Sequence, residues 1–72
     1  MMTVEMRINN LNDLRRYKNY GLREVADRMG ITKSYLSYIE KGKRNLTPEL
    51  AAKLADVYDL DVETIKQLYW NS

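Results

Sequence analysis

The chain contains no cysteine and no histidine, and it has one proline and three glycines in 72 residues. The two missing residue types exclude disulfides, thiolate or imidazole metal sites, and catalysis by a cysteine or a histidine. We therefore expect no metal and no cofactor. Ser34 and Ser37 have no histidine or lysine arrangement that would activate a hydroxyl group, so we expect that the protein is not an enzyme.

Long hydrophobic runs are also missing. The longest aliphatic run is Leu50-Ala51-Ala52, far shorter than the ~18 apolar residues of a membrane-spanning helix. The N-terminus has no apolar stretch suited to a signal peptide. We expect a soluble, cytoplasmic protein that has no membrane partner. A chain of this length forms one small domain with a small core, and self-association is the remaining support, so we expect a homodimer.

Basic residues are concentrated in the middle of the chain, although the net charge is only +2. Residues 15–44 contain nine lysines and arginines against three acids, whereas residues 45–72 contain two bases and five acids. A basic segment on a nearly neutral chain is typical of a face that binds a polyanion. The alternative is an ordinary solvated surface.

The first residues alternate between apolar and polar side chains, with Met2, Val4, Met6 and Ile8 on one side. A period of two is typical of a half-buried strand. This strand pairs with the C-terminal residues around Tyr69-Trp70 or with its copy in a second subunit, or else it remains a frayed tail. We assign residues 1–9 to a strand-like arm that contacts a dimer partner, and residues 10–72 to a second, helical unit.

After the arm, the apolar period and the capping residues predict five short helices. The boundary signals are, in chain order, Asn10 and Tyr20-Gly21 for the first helix, Leu22 and Gly30 for the second, Thr32 and Gly42 for the third, Thr47-Pro48 for the start of the fourth, and Asp61 for the start of the fifth. The predicted inward positions are Leu11, Leu14, Leu22, Val25, Ala26, Met29, Leu36, Ile39, Leu50, Leu54, Ala55, Tyr58, Val62, Ile65, Leu68 and Tyr69.

The connection between the second and third helices, Met29-Gly30-Ile31-Thr32, fits a helix-turn-helix unit. Gly30 allows a positive φ, and the small Ala26 lets the two helices approach closely. Such a unit places its second helix in the major groove of DNA while the first lies across the backbone.

The segment from Leu22 to Asn45, LREVADRMGITKSYLSYIEKGKRN, resembles the Cro/cI-type helix-turn-helix family of phage repressors and XRE-like regulators. Its marks are Ala26, Gly30-Ile31-Thr32, Ser34-Tyr35-Leu36-Ser37 and Ile39-Glu40-Lys41-Gly42-Lys43-Arg44. The resemblance extends from Leu11 to Ile65, about three-quarters of the chain. It implies an all-α, five-helix, lambda-repressor-like domain. It also implies a sequence-specific regulator of transcription, a repressor that acts as a homodimer on a near-palindromic operator in double-stranded DNA.

The resemblance also assigns roles to single residues. The base-reading positions on the third helix are Thr32, Lys33, Ser34, Ser37 and Tyr38. The phosphate contacts are Lys43, Arg44 and Asn45, and Arg15 and Glu40 form a structural ion pair. Family members usually open the second helix with a serine or threonine followed by glutamine, but this chain has Gly21 and Leu22 there. We expect Arg23 to supply the missing phosphate contact.

The aromatic residues allow more than one interpretation. Basic residues interleaved with tyrosines are compatible with a site where the bases of single-stranded nucleic acid stack on aromatic rings. We expect instead that Tyr20, Tyr35 and Tyr58 lie at least partly in the core. We expect Tyr17 at the edge of the core. Tyr38 is expected on the outer face of the third helix, where it contacts DNA. Near the end of the chain, Tyr69 and Trp70 are expected at a dimer interface.

The alternative function is an antitoxin-like or other protein-interaction module built on the same fold. An interaction surface would be more apolar on the exposed face of the third helix. Because the sequence contains no recognisable sensor domain, we expect regulation by protein concentration or by a separate regulatory protein.

Overall fold

The computed structural model describes residues 8–71, which form five α-helices and no β-strand. The helices are α1 (Leu11–Tyr17), α2 (Leu22–Met29), α3 (Lys33–Glu40), α4 (Pro48–Tyr58) and α5 (Val62–Trp70). The predicted all-α, five-helix fold is confirmed. The predicted strand falls outside the described residues except for Ile8, which is not in a strand, and the proposed dimer contacts Val4 and Met6 lie outside them as well.

Four helices begin at the capping residues that the sequence predicts. Asn10, Thr32, Thr47 and Asp61 each accept a hydrogen bond from the backbone N–H three residues later, at 2.8 to 3.2 Å. These bonds satisfy an N–H group that has no partner inside the helix. Hydrogen bonds from Thr64 to the Asp61 carboxylate hold the pKa of this carboxyl below its usual value.

One helix end differs from the prediction. The first helix ends at Tyr17 rather than near Tyr20-Gly21, because Asn19 adopts a left-handed conformation with φ 61° and turns the chain. Asparagine is one of the few residues besides glycine that enter this region readily. The third helix ends as predicted: Glu40 is its last residue, and Gly42 adopts φ 74° in the turn that follows.

The core is formed by one apolar face from each helix. Its fully buried side chains include Leu11 of α1, Val25 and Met29 of α2, Leu36 and Ile39 of α3, Leu54 and Tyr58 of α4, and Ile65 of α5. The predicted inward residues Leu22, Val62, Leu68 and Tyr69 are only partly buried at its edge. The prediction for Tyr35 is wrong, since this side chain is exposed on α3.

Two hydrogen bonds stabilise the helix-turn-helix unit, one within its turn and one from α4. Gly30 takes φ 73°, and the Ile31 N–H donates to the Ala26 carbonyl oxygen at 3.0 Å, which closes α2 and fixes the direction of α3. Behind the turn, Lys53 Nζ of α4 donates to the Met29 carbonyl oxygen at 3.3 Å. This hydrogen bond attaches the C-terminal end of α2, where the turn begins, to α4.

Candidate nucleic-acid interface

The outer face of α3 forms a shallow depression against the beginning of α2. The depression has a volume of about 190 Å³ and is lined by Leu22, Lys33, Ser34, Ser37, Tyr38 and Lys41. Helical spacing explains the grouping, because residues three and four apart lie on one face of a helix. Four of the predicted base-reading residues are therefore adjacent: Lys33, Ser34, Ser37 and Tyr38.

The fifth predicted base-reading residue, Thr32, has a structural task in addition. It is the N-cap of α3, and its hydroxyl oxygen accepts a hydrogen bond from the Tyr35 N–H at 3.1 Å. The oxygen is thus committed to the helix, but the hydroxyl proton is still available as a donor. Thr32 is exposed at the N-terminal end of α3.

Sequence reasoning did not assign Lys41 and Leu22 to the interface. Lys41 lies four residues beyond Ser37 and eight beyond Lys33, so the same helical period that selected those two positions also selects Lys41. Leu22 opens α2 and brings its side chain to the depression from the opposite wall. Only the packing of α2 against α3 makes this second contact evident.

The cations of this surface are not neutralised within the chain. Within residues 8–71, Lys33, Lys41, Lys43 and Arg44 form no ion pair, and all four are exposed. Arg28 differs from them, because its guanidinium lies 3.4 Å from the Glu24 carboxylate and 5.3 Å from the centre of the Tyr20 ring. Four exposed cations without an ion pair among the described residues thus lie on α3 or in the loop that follows it.

That loop contains the predicted phosphate contacts Lys43, Arg44 and Asn45, all of them exposed. Its backbone is attached to α3, since the Lys43 N–H donates to the Tyr38 carbonyl oxygen at 2.8 Å. A second attachment comes from α5, where the Tyr69 hydroxyl donates to the Arg44 carbonyl oxygen at 2.9 Å. These two hydrogen bonds place the basic loop beside the end of α3.

The beginning of α2 has an unusual cap. Gly21 has no side chain to accept a hydrogen bond, but its own N–H donates to Glu24 Oε1 at 3.3 Å, which is half of a capping box. Arg23 follows in the first turn and is exposed. The backbone amides of this helix start, together with Arg23, form the part of the surface nearest to Leu22.

A partly buried ion pair joins α1 to α3. Arg15 Nε lies 2.8 Å from Glu40 Oε2, Arg15 Nη2 donates to Oε1 at 3.2 Å, and Asn12 Nδ2 also donates to Oε1, at 3.0 Å. Arg15 Nη1 donates to the Tyr20 carbonyl oxygen at 3.1 Å. The hydrogen bond to Glu40 raises the pKa of Arg15, and the pair fixes the C-terminal end of α3.

Three of the proposed dimer contacts fall on described residues. Ile8 lines an apolar groove of about 310 Å³ together with Leu60 and Leu68. Trp70 is 78% exposed and packs its ring edge against Tyr69, with 5.5 Å between ring centres. Tyr69 is partly buried, and its hydroxyl is bonded within the same chain.

Other kinds of site are not found in the part of the chain that the structure describes. Residues 8–71 contain no group of three or more acidic side chains that could hold a metal ion. Over the same residues, no helix has both the length and the apolar composition needed to cross a membrane.

Comparisons with a family profile and with known proteins both find helix-turn-helix proteins. The sequence profile of a family described as "Helix-turn-helix" matches residues 11–65. The chain is 41% identical over 54 residues to the HTH-type transcriptional regulator AnsR of Bacillus subtilis (strain 168), a match that covers 75% of this chain and 47% of AnsR. It is 36% identical over 56 residues to the HTH-type transcriptional regulator SinR of the same strain, covering 76% of this chain and 50% of SinR.

A SinR from Bacillus licheniformis matches to the same extent. The chain therefore aligns with about half the length of the curated relatives that it matches. No solved structure matches it significantly.

Proposed function

Since the chain belongs to the XRE-type helix-turn-helix family of DNA-binding transcriptional regulators, we propose that it binds operator DNA as a homodimer. Members of this family are not enzymes. The proposed target is a near-palindromic operator in double-stranded DNA, and the proposed effect of binding is repression of transcription. The observation that carries the proposal is the polar, unneutralised face of α3 with its attached basic loop.

In this proposal α3 enters the major groove and reads base edges. Lys33 donates to a guanine, which presents two acceptors in the major groove. The hydroxyl groups of Ser34 and Ser37 hydrogen-bond to several bases, and Tyr38 reaches a base, a sugar or a phosphate. Thr32 contributes its hydroxyl proton at the N-terminal end of α3. Lys41, at the other end, is close to the loop and is suited to a phosphate.

The phosphate backbone is held on both sides of α3. The loop residues Lys43, Arg44 and Asn45 bind one strand, and Arg23 with the backbone amides at the start of α2 binds the other side of the groove. Arg23 replaces the polar side chains that relatives of this type usually carry at positions 21 and 22. Because the clamp at α2 is reduced to amides and one arginine, the basic loop takes a larger share of the phosphate contacts.

The exposed face of α3 favours DNA over a protein partner. A surface that covers another protein is usually apolar at its centre and poor in lysine, whereas this face presents two lysines, two serines and a tyrosine. An antitoxin-like module or another protein-interaction module on the same fold is therefore the second candidate. Regulation by a separate protein is compatible with both candidates, the DNA-binding regulator and the protein-interaction module.

Dimerisation is proposed through the two ends of the chain. Trp70 is a large, exposed aromatic residue, and Ile8 lies in an apolar groove with Leu60 and Leu68. Burial of such groups against a second copy removes apolar surface from water. Val4, Met6 and Tyr69 complete the proposed contact set. Two copies related by a two-fold axis place their α3 helices in successive major grooves, about 34 Å apart.

Selection of binding sites from a random duplex library tests the proposal. Purified protein should enrich a two-fold symmetric motif with half-sites about one helical turn apart. The Lys33→Ala protein, selected in parallel, should relax one position in each half-site, at a cost of about 1–3 kcal/mol against the preferred base. Enrichment of no motif would favour the protein-interaction module, and an unchanged motif for Lys33→Ala would remove that side chain from base reading.

A further inference from the structure

The loop between α3 and α4 must hold its backbone in place if Lys43 and Arg44 are to bind phosphates at fixed positions. A short loop whose backbone is free has to be ordered during binding, and the decrease in conformational entropy weakens the complex. The contacts that fix this loop within the free protein therefore contribute to DNA affinity without touching DNA.

The loop is held at both of its ends by neighbouring elements. At the first end, the Lys43 N–H donates to the Tyr38 carbonyl oxygen of α3 at 2.8 Å. At the other end, Thr47 caps α4. Between these points, within residues 8–71, the backbone and side chains of residues 44–46 make one hydrogen bond, from the Tyr69 hydroxyl to the Arg44 carbonyl oxygen at 2.9 Å.

We propose that Tyr69 is a positioning residue for the phosphate-binding loop. Its hydroxyl fixes the Arg44 carbonyl, and this in turn fixes the direction in which the Lys43 and Arg44 side chains leave the backbone. The inference rests on the proposed function, because it assigns to Tyr69 a role in the same DNA interface. It also gives α5 a role in DNA binding, although that helix lies outside the helix-turn-helix unit.

Tyr69 is well placed to hold another segment. It lies in the last turn of α5, whose Ile65 is fully buried and whose start is capped by Asp61. The Tyr69 side chain packs against the core, and its hydroxyl end extends to the loop. A helix anchored in the core thus supplies the donor, and the loop backbone supplies the acceptor.

The position of the hydrogen bond separates its effect on binding from its effect on folding. The bond lies at the surface, so the removal of the hydroxyl group opens no cavity and leaves the Arg44 carbonyl accessible to water. Removal of a surface hydrogen bond that water can replace changes stability little. A loop that is no longer ordered in the free protein, in contrast, has to be ordered each time the protein binds a phosphate backbone.

The test is a double-mutant cycle on duplex binding. Tyr69→Phe, Lys43→Ala/Arg44→Ala and the combined variant are compared with the wild-type protein by fluorescence anisotropy at several salt concentrations. Tyr69→Phe should bind duplex DNA roughly three- to tenfold more weakly, with an unchanged unfolding midpoint. Its salt dependence should be shallower, by up to about 0.9 in slope for each phosphate that the loop no longer binds.

In the Lys43→Ala/Arg44→Ala background, Tyr69→Phe should weaken binding no further, because the side chains that it positions are gone. Tyr17→Phe is the matched control, since it removes an exposed phenol hydroxyl from α1 and should bind as the wild-type protein does. Sedimentation of each variant at the same concentration ensures that the compared proteins have the same oligomeric state.

Several outcomes would overturn the inference alone. These are wild-type affinity and salt slope for Tyr69→Phe, an equal decrease in affinity in both backgrounds, or a decrease that accompanies a change of oligomeric state. A different result would overturn the proposed function itself: no salt-dependent duplex binding by the wild-type protein, or no effect of Lys43→Ala/Arg44→Ala.

Discussion

Tyr58 is an uncommon residue at the centre of a small core. It is 1% exposed, its ring stacks on Tyr20 with 5.9 Å between ring centres, and its hydroxyl has no hydrogen-bond partner within residues 8–71. Burial raises the pKa of this phenol, and the charge of Glu40 raises it further. The folded chain therefore retains the Tyr58 proton at pH values where the unfolded chain has lost it.

The raised pKa predicts how stability depends on pH. A folded pKa above the unfolded value of 10.0 gives stability that is complete below pH 10 and is lost as the pH rises above it. Above pH 10, we expect the ionisation of Tyr58 to lower the free energy of unfolding of the wild-type protein by up to about 1.4 kcal/mol per pH unit. Tyr58→Phe should remove that contribution, and at pH 7 it should be neutral or stabilising by about 1 kcal/mol, because it removes a buried hydroxyl without a protein partner.

Urea unfolding at pH 7, 10 and 11 measures both effects. Tyr17→Phe, which removes an exposed phenol, should keep the wild-type dependence on pH. If Tyr58→Phe lost stability at pH 7, the hydroxyl would have a stabilising partner and the account of its burial would be incorrect. If its alkaline slope equalled that of the wild-type protein, another group would cause the decline.

At the scale of the helices, α2 is bounded by two glycines that differ in backbone conformation. Gly21, at its start, has an extended backbone with φ −75°, and a Cβ atom built there meets nothing within 4 Å. Gly30, at its end, has φ 73°, a region that other residues enter only with strain. The conformation of the first position does not need glycine, whereas that of the second does.

The two glycines therefore predict opposite effects for the same substitution. Gly21→Ser should supply an N-cap side chain and stabilise the protein by about 0.3 kcal/mol. It should also strengthen duplex binding, because the hydroxyl joins the amides that face the phosphate. Gly30→Ser, the matched control, should destabilise by about 1–2 kcal/mol through backbone strain.

Thermal unfolding and duplex affinity of both variants are the measurements. A decrease in stability in Gly21→Ser would mean that the half capping box formed by Glu24 depends on glycine. Greater stability with unchanged DNA affinity would remove the start of α2 from the phosphate contacts.

The helices are predictable from sequence where their signals are local. Thr32, Thr47 and Asp61 cap their helices through contacts three residues away, so their positions can be found without knowledge of the fold. The end of α1 differs from the prediction because Asn19, rather than Gly21, takes the left-handed conformation, and the sequence offers both residues. Tyr35 differs because its exposure depends on how α3 is rotated against α2.

The interface is predictable to a similar degree and for the same reason. Lys33, Ser34, Ser37 and Tyr38 share one face of a single helix, and helical periodicity is enough to group them. The contacts of Tyr69 with Arg44 and of Lys53 with Met29 join residues 25 and 24 positions apart. No periodic pattern relates such positions, so they become evident only when the helices are packed.

At the scale of the whole molecule, fewer cations of the basic middle segment are free to bind a polyanion than the number of lysines and arginines in the sequence suggests. Arg15 is held in the partly buried pair with Glu40, and Arg28 is paired with Glu24. Seven cations of this segment form no ion pair within residues 8–71: Arg16, Lys18, Arg23, Lys33, Lys41, Lys43 and Arg44. Residues 45–72, in contrast, contain five acids against two bases. In the proposed complex, this asymmetry of charge orients the molecule toward DNA before any base is read.

Trp70 is the most exposed large hydrophobic side chain among the described residues, at 78%, and it belongs to the proposed dimer contact. We predict that Trp70→Glu shifts the proposed dimer to a monomer in sedimentation, because a carboxylate is costly to bury in an apolar contact. Its unfolding midpoint as a monomer should stay near that of a dilute wild-type sample, since Trp70 adds little to the core.

Gln67→Glu is the control for this prediction, since it adds the same charge at another exposed position of α5. In Trp70→Glu, affinity for a full operator should fall by more than affinity for a single half-site, because the two half-sites are no longer bound by one linked molecule. A variant that stays dimeric would move the interface away from Trp70. A monomeric wild-type protein would instead reject the homodimer and, with it, the need for a symmetric operator.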